Sequence, residues 1–174
     1  KVQEIMAKKD LLPADIRWHL IGHLQSNKVK YVIPFIHLIH SVDSEKLLME
    51  IEKQSAKVGR AVQCLLQVHI AKEATKFGFS PEELKAFITK ASHIDLKYVQ
   101  VNGIMAMASF TDNMAQIDAE FASVKSLFDW IKQQNTPKWF EMNELSMGMS
   151  SDFETALRHG STIIRVGSAI LGSR

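Results

Sequence analysis

The chain has 174 residues, of which 46% are hydrophobic and 23% charged, and its formal net charge is only +2. This length suits one domain with a sizeable core, and the near-neutral charge argues against a protein that binds nucleic acid through a basic field. The single cysteine, Cys64, excludes an internal disulfide framework and is typical of a reducing compartment. No apolar run approaches the roughly 20 residues that span a bilayer, so we expect a cytoplasmic protein without membrane or nucleic-acid partners.

Hydrophobic periodicity in the first half of the chain alternates between strand and helix. Apolar runs bounded by turn residues predict strands at 16–22, 35–42 and 60–70. Helical spacing predicts helices at 24–33, 44–59 and 80–91. Pro34 stops the first helix and Gly59 the second. The third has Ser80 as its N-cap, Pro81 at its first position and Glu83 closing a capping box.

The second half continues the same alternation. Strands are predicted at 96–107, 138–148 and 162–171. A long helix, 113–135, is amphipathic, with one apolar side made of Ile117, Phe121, Val124, Leu127, Phe128 and Ile131. A shorter helix, 151–160, is expected to be capped by Ser150 or Ser151 and to end at Gly160.

Strands that alternate with helices at this pitch indicate an α/β protein with a parallel sheet. An open doubly wound sheet and a barrel both fit, and no G-x-G-x-x-G motif follows a strand to favour a dinucleotide-binding sheet. The pattern gives six strands rather than the eight of a barrel, and it begins at Lys1 as if already under way. We therefore expect one domain over 1–174, and a (β/α)8 TIM-type barrel that lacks its first two strands would fit this pattern.

Two clusters of serine and glycine lie toward the carboxyl ends of the last two predicted strands. Ser150 lies in "SMGMSSD", and Gly167 and Ser168 lie in "RVGS". Barrel enzymes frequently hold phosphate in the loops after their final strands, where glycine admits the ligand and hydroxyl and helix N–H groups donate to it. Either cluster alone is more simply explained as a turn, but the pair predicts a ligand that carries phosphate.

Arg165 interrupts a strand that is otherwise apolar, between Ile164 and Val166. A buried guanidinium is costly unless it is paired or bound to a ligand. One interpretation is a salt bridge to an interior acid such as Glu141 or Glu144. The other is a cation that faces a cofactor, and the sequence leaves both open.

The histidines and methionines of the strands offer weaker signals. His19 and His23 lie four apart in a strand and its turn, which is poor geometry for two metal ligands, and no further ligands stand at suitable spacing. We therefore expect no metal site and a cavity-lining or core position for His19. Met105 and Met107 alternate along the fourth strand, as residues that line a barrel interior do, and core packing is the favoured interpretation.

Four segments together resemble the pyridoxal phosphate homeostasis protein family, also called the proline synthase co-transcribed family. They are WHLIGHLQSNK, TKFGFS, NGIMAMA and LSMGMSSDFETALRHGSTIIRVGSAILGSR, and the likeness runs from about Val2 to Arg174. The resemblance implies a single-domain barrel like the N-terminal domain of alanine racemase. It also implies pyridoxal 5′-phosphate (PLP) bound to a lysine, no established catalytic activity, and a role in vitamin B6 and amino-acid homeostasis.

The same resemblance implies which residues contact the cofactor. It places Ser150, Gly167 and Ser168 at the phosphate, Arg165 at the pyridine nitrogen, and His19 and Met105 along the pocket. The family's Schiff-base lysine lies in its first barrel strand, in a motif like V-A-V-S-K, and neither this motif nor the G-E-N segment that follows is found here. The likeness therefore also implies that two N-terminal strands are missing, and no lysine of this chain replaces the anchor.

Three classes of function are open at this point. A non-catalytic PLP carrier is favoured, because an arginine is too basic to share a proton with the pyridine ring, which leaves the ring a weak electron sink. A PLP-dependent amino-acid racemase-like enzyme would need a second acid–base residue, which alanine racemases take from an additional C-terminal β domain. A partner-binding protein without a ligand would use its glycines for turns alone.

The missing strands also affect association. We expect the complete protein to be a monomer. The six-stranded chain alone is expected to expose sheet edges and apolar interior, which favours aggregation or an oligomer that covers the gap.

Overall fold

The computed structural model describes residues 1–70 and 77–172, which form one parallel sheet of six strands in the order β1-β2-β3-β4-β5-β6. The strands are β1 (His19–Leu20), β2 (Leu38–Val42), β3 (Val62–Val68), β4 (Val99–Ala106), β5 (Phe140–Met149) and β6 (Ile163–Arg165). The helices are α1 (Val2–Lys8), α2 (Val29–Val32), α3 (Glu45–Val58), α4 (Pro81–Ala91), α5 (Met114–Lys132), α6 (Phe153–Arg158) and α7 (Ser168–Leu171). A 3-10 turn, Ser26–Lys28, leads into α2. Within the described ranges, no helix combines the length and apolar character needed to cross a membrane.

All six predicted strands are present, but the two at the edges of the sheet are shorter than predicted. β1 has two residues, and β6 ends at Arg165, after which α7 replaces the predicted end of the strand. Each edge strand pairs on one side only, so fewer ladder hydrogen bonds hold its ends in extended conformation. The prediction that the sixth strand continues to residue 171 is therefore wrong.

The helix ends follow the local capping signals closely. Ser44 caps α3 by accepting a hydrogen bond from the backbone N–H of Leu47, and Gly59 ends that helix in the left-handed conformation, at φ +68°. At α4, the Ser80 hydroxyl accepts from the Glu83 N–H at 3.1 Å, and the Glu83 carboxylate accepts from the Ser80 N–H at 2.8 Å. The predicted capping box is confirmed.

We expect Ser80→Ala to lower the free energy of unfolding by about 1 kcal/mol, because the helix loses the acceptor for one of its first N–H groups. Urea unfolding would measure the change. Ser92→Ala, an exposed position at the other end of α4, is the matched control and should stay within about 0.5 kcal/mol of the parent. Equal effects of the two substitutions would contradict the capping assignment.

The two faces of the sheet bury different sets of side chains. One face packs against the helices, where the six predicted apolar positions of α5 are all buried: Ile117, Phe121, Val124, Leu127, Phe128 and Ile131. The other, which we call the inner face, holds a small separate cluster of Leu38, Leu65 and Met105, with Met107 and Ile163 packed against it. Four of the five strand pairs contain a register shift. Such bulges bend a sheet, and the six strands curve into a half-barrel around the inner face.

Candidate functional site

A continuous chain of polar side chains crosses the inner face. Nδ1 of His19 lies 3.0 Å from Nε2 of His40, and Nδ1 of His40 lies 3.0 Å from Oγ of Ser146. The Ser146 hydroxyl also accepts a hydrogen bond from Nη1 of Arg165 at 2.8 Å, and Nη2 of Arg165 donates to the backbone carbonyl of Ala106 at 2.9 Å. We call His19, His40, Ser146 and Arg165 the polar chain. It links strands β1, β2, β5 and β6.

Arg165 is a buried cation with a hydrogen-bond donor to spare. Its side chain is 9% exposed, and among the described residues Nε is a buried nitrogen with no acceptor. Burial lowers the pKa of the Arg165 guanidinium to about 10, although the Asp152 carboxylate acts to raise it. The group therefore stays charged near neutral pH, with an N–H that a ligand can use.

The acids expected to pair with Arg165 are occupied elsewhere. Glu141 accepts a hydrogen bond from the Asn143 side chain, and Glu144 accepts one from the Thr162 hydroxyl. Arg165 itself donates to the Ser146 hydroxyl and the Ala106 carbonyl, and it forms no salt bridge with either glutamate, so the salt-bridge interpretation with these two acids is wrong.

His40 and Ser146, the two middle members of the polar chain, are not among the predicted site residues. Their side chains are 1% and 0% exposed. Burial, with smaller contributions from the charges of His19 and Arg165, lowers the pKa of His40 to about 3. The available signal was a polar residue within an apolar strand, as in "LIHSV", because a buried polar group is normally hydrogen-bonded.

Acid should destabilise the protein through His40. Its folded-state pKa lies below its unfolded value of about 6.5, so between these values the unfolded chain binds a proton that the folded protein does not. The stabilisation is complete above about pH 6.5 and is lost as the pH falls, by roughly 2 kcal/mol at pH 5. Urea unfolding from pH 7 to 5 would measure it.

The matched variants are His40→Gln, which should flatten this slope, and His93→Gln at an exposed position, which should keep it. His19 and Arg165, the titratable groups whose charges act on His40, remain in both variants. An unchanged slope in His40→Gln would contradict the assignment.

His19 and Met105, both predicted to line the pocket, lie on the same face as Arg165. The His19 ring is exposed and stacks on His37 with 5.4 Å between ring centroids. Its partial burial, with the charges of His37 and Arg17, lowers the pKa of His19. Met105 is fully buried and pairs in register with Ser146, the serine that holds Arg165.

The three residues predicted to hold phosphate meet where β5 and β6 end. Oγ of Ser150 accepts hydrogen bonds from the backbone N–H of Gly167 at 3.2 Å and of Ala169 at 3.5 Å. Ser168 lies between these two donors and is exposed. A Cβ built on Gly167 would meet no atom within 4 Å, so the space beside it is open. We call Ser150, Gly167, Ser168 and Ala169 the serine–glycine corner.

The start of α6 differs from the prediction. Its N-cap is Asp152, and Oδ1 of Asp152 accepts from the backbone N–H of Met149 at 2.6 Å. Ser150 and Ser151 were expected to cap this helix, and that prediction is wrong, because Ser150 instead bonds the turn after β6. The Asp152 carboxylate at the start of α6 would repel a second anion bound there. The serine–glycine corner is therefore the better place for a phosphate, because its N–H donors converge and no carboxylate of a described residue caps it.

Parts of the sequence pattern fall outside the described residues. Thr75 and Lys76 of the segment TKFGFS lie outside the described residues, as does Lys72. Among residues 1–70 and 77–172, no three histidine, cysteine or acidic side chains are placed to hold a metal ion.

The relatives of the chain share both its sequence and its fold. The family model described as alanine racemase, N-terminal domain, matches residues 2–174. The pyridoxal phosphate homeostasis protein of Aquifex aeolicus is 36% identical over 175 residues, which cover 100% of this chain and 75% of the relative.

Solved structures also resemble this chain in sequence and in fold. PipY of Synechococcus elongatus PCC7942 has been solved with and without PLP. The PLP-bound structure is 35% identical, with a TM-score of 0.85, covering 99% of this chain and 79% of PipY. The structure without PLP is 36% identical, with a TM-score of 0.90 and the same coverage.

The likeness extends to more distant proteins at the level of the fold. Alanine racemase of Clostridium difficile 630 is 14% identical, with a TM-score of 0.75 over 100% of this chain and 46% of the racemase. The six strands therefore have the arrangement found in the alanine racemase N-terminal domain. With a curated relative at 36% identity and three quarters of its length covered, the chain belongs to the pyridoxal phosphate homeostasis protein family.

Proposed function

We propose that this protein binds PLP on the inner face of its sheet and serves PLP homeostasis as a carrier rather than as an enzyme. The observation that carries the proposal is Arg165, a buried cation whose Nε has no acceptor among the described residues. An orphaned buried donor is costly, and an acceptor on a ligand would satisfy it. Relatives named for PLP homeostasis and the PLP-bound structure of PipY support PLP as that ligand.

The residues present fit the two polar ends of PLP. Arg165 Nε would donate to the pyridine nitrogen. The serine–glycine corner would take the phosphate, because the N–H groups that Ser150 now collects converge on one point and the space beside Gly167 is open. The Met105 and His19 side chains would line the pocket between these ends.

When bound, PLP supplies an aldehyde that reacts with amines and a pyridine ring that can act as an electron sink. Arg165 sets how strong that sink is. With a pKa of about 10, it keeps its own proton near neutral pH and donates a hydrogen bond to the ring nitrogen without protonating it. The ring then withdraws electrons weakly, which favours carriage over carbanion chemistry.

A racemase-like enzyme is the competing proposal, supported by the shared fold of alanine racemase. Racemisation requires a second acid–base residue, on the opposite side of the bound PLP from the first. Measurable racemisation of alanine by the PLP-loaded protein would decide for the enzyme. A partner-binding protein without a ligand would instead show no saturable PLP binding.

The half-barrel is proposed to be part of a (β/α)8 barrel. Two further strands beside β1 and β6 would close the sheet, and one of them would carry the lysine that anchors PLP; no lysine of 1–174 is assigned this role. The relatives' greater length supports this, since the chain covers 75% of the Aquifex protein and 79% of PipY. We propose one domain, a monomer when complete, in the cytoplasm.

Gly167→Ala tests the phosphate position without disturbing the fold. The new methyl group meets no protein atom within 4 Å and needs no left-handed backbone conformation, so stability should be unchanged. The methyl would instead occupy the space proposed for phosphate. We expect PLP affinity, measured by fluorescence titration, to fall about tenfold, which corresponds to roughly 1.4 kcal/mol.

Gly22→Ala is the control, because a Cβ there also meets no atom within 4 Å and affinity should not change. Combining Ser150→Ala and Ser168→Ala should weaken PLP further. Retained affinity in this double variant and in Gly167→Ala would overturn the phosphate site. Absence of saturable binding to the parent protein would overturn the function.

A further inference from the structure

The donor and the acceptor of each hydrogen bond in the polar chain can be assigned from the chemistry of its side chains. A guanidinium has N–H donors and no acceptor, so the hydrogen bond of 2.8 Å between Arg165 and Ser146 must place the proton on Arg165. The oxygen of Ser146 is therefore the acceptor, and its own O–H must find another partner. An unsatisfied hydroxyl in this fully buried position would be costly.

The nearest partner for that hydroxyl is His40. Among the described residues, Ser146 Oγ bonds only Arg165 and Nδ1 of His40, the latter at 3.0 Å. If Nδ1 of His40 carried a proton, two donors would point at one oxygen and the serine proton would have no acceptor. Nδ1 of His40 is therefore the acceptor, and the proton of this neutral ring lies on Nε2.

The proton on Nε2 of His40 in turn determines the tautomer of His19. Nε2–H of His40 donates to Nδ1 of His19, 3.0 Å away. Nδ1 of His19 is thus unprotonated, and the neutral ring carries its proton on Nε2. His19 is the exposed member of the polar chain. Its Nε2–H, the last donor of the polar chain, therefore points away from the buried arginine.

We infer that His40 and Ser146 are positioning residues for Arg165, in a hydrogen-bond chain whose protons all run one way, from the guanidinium through Ser146 and His40 to His19. Ser146 and the Ala106 carbonyl each hold one Nη, which fixes the plane of the guanidinium and the direction of its free Nε–H. His40 holds the serine hydroxyl turned toward β2, so that its oxygen stays available to Arg165. The benefit to PLP rests on the proposed function; the order of the protons does not.

The order of the protons is measurable without PLP. Nitrogen-15 NMR of the whole protein distinguishes an imidazole protonated on Nδ1 from one protonated on Nε2. We expect His40 and His19 each as a single Nε2–H form near neutral pH. An Nδ1–H form of His40 would contradict the proposed order of protons, whether or not the protein binds PLP.

Positioning is measured on Arg165 itself. Hydrogen exchange of its Nε–H should be slow in the parent protein and at least about tenfold faster in Ser146→Ala and in His40→Leu, since the guanidinium then loses a partner or that partner loses its orientation. His40→Asn keeps a side-chain polar group near the position of Nδ1 and should restore slow exchange. Ser161→Ala removes another buried hydroxyl between β5 and β6 and should leave this exchange rate unchanged.

PLP titration of the same variants completes the test. Ser146→Ala and His40→Leu should each weaken PLP about tenfold, and the double variant no more than Ser146→Ala alone, because both act through one chain. His40→Asn should recover most of the affinity. Parent-like exchange and affinity in Ser146→Ala would overturn the positioning role. If the parent protein did not bind PLP but showed the expected NMR forms and exchange rates, the proposed function would be overturned. The proton order and the positioning of Arg165 would still hold.

Discussion

Arg165→Met is expected to weaken PLP binding by roughly a hundredfold while leaving the unfolding free energy within about 1 kcal/mol of the parent. Binding should fall because the ring nitrogen loses its only proposed donor, a charged one. Stability should hold because Arg165 is a buried cation with no salt bridge to any described residue, so its burial stabilises the fold little, and an apolar side chain of similar length needs no desolvation. Fluorescence titration and urea unfolding would measure the two effects.

Arg60→Met is the control, since Arg60 also donates to a backbone carbonyl, that of Ile33 at 2.8 Å, but lies just before β3. It should bind PLP like the parent. If Arg165→Met lost stability and affinity together, the arginine would be a structural residue first. Such a result would contradict its assignment to the ligand.

Gly103→Ala is expected to destabilise the fold more than any other substitution proposed for this chain, by about 3 to 5 kcal/mol. A Cβ on Gly103 would lie 1.8 Å from the carbonyl oxygen of Glu144 and 2.7 Å from its carbon. Both are backbone atoms of the paired strand, at a register shift between β4 and β5, so no side chain can move aside. The φ of Gly103, +150°, adds strain for any other residue.

Gly59→Ala gives the scale for this comparison. Gly59 has φ +68°, but a Cβ there meets no atom within 4 Å, so only the backbone conformation is penalised, by about 1 kcal/mol. The two variants should therefore separate clearly in urea unfolding. Equal losses would mean that β4 and β5 separate easily and that the contact is not a constraint.

Features fixed by near neighbours in sequence were predictable. The capping box of Ser80 and Glu83 needs only three residues of separation, and the buried side of α5 repeats with the helical period. The alternation of strand and helix likewise predicted six parallel strands in chain order. These signals are local, so they survive without knowledge of the tertiary structure.

The partners of Arg165 were not predictable, because they depend on which strands meet and in what register. Ser146 is 19 residues from Arg165, and His40 is 106 residues from Ser146. Register shifts between strands change which side chains stand opposite each other. The two predicted caps of α6, Ser150 and Ser151, likewise looked equivalent, but Ser150 bonds the turn after β6 and Asp152 takes the N-cap position.

The unequal division of apolar burial between the two faces of the sheet has a consequence for function. The helix-covered face contains the large continuous core, whereas the inner face contributes only the small cluster of Leu38, Leu65 and Met105. Most of the apolar burial that stabilises the fold therefore lies on one face, and apolar substitutions on the inner face put less of it at risk. One helix-covered scaffold is therefore compatible with more than one inner-face chemistry, and alanine racemase, at 14% identity, has the same fold.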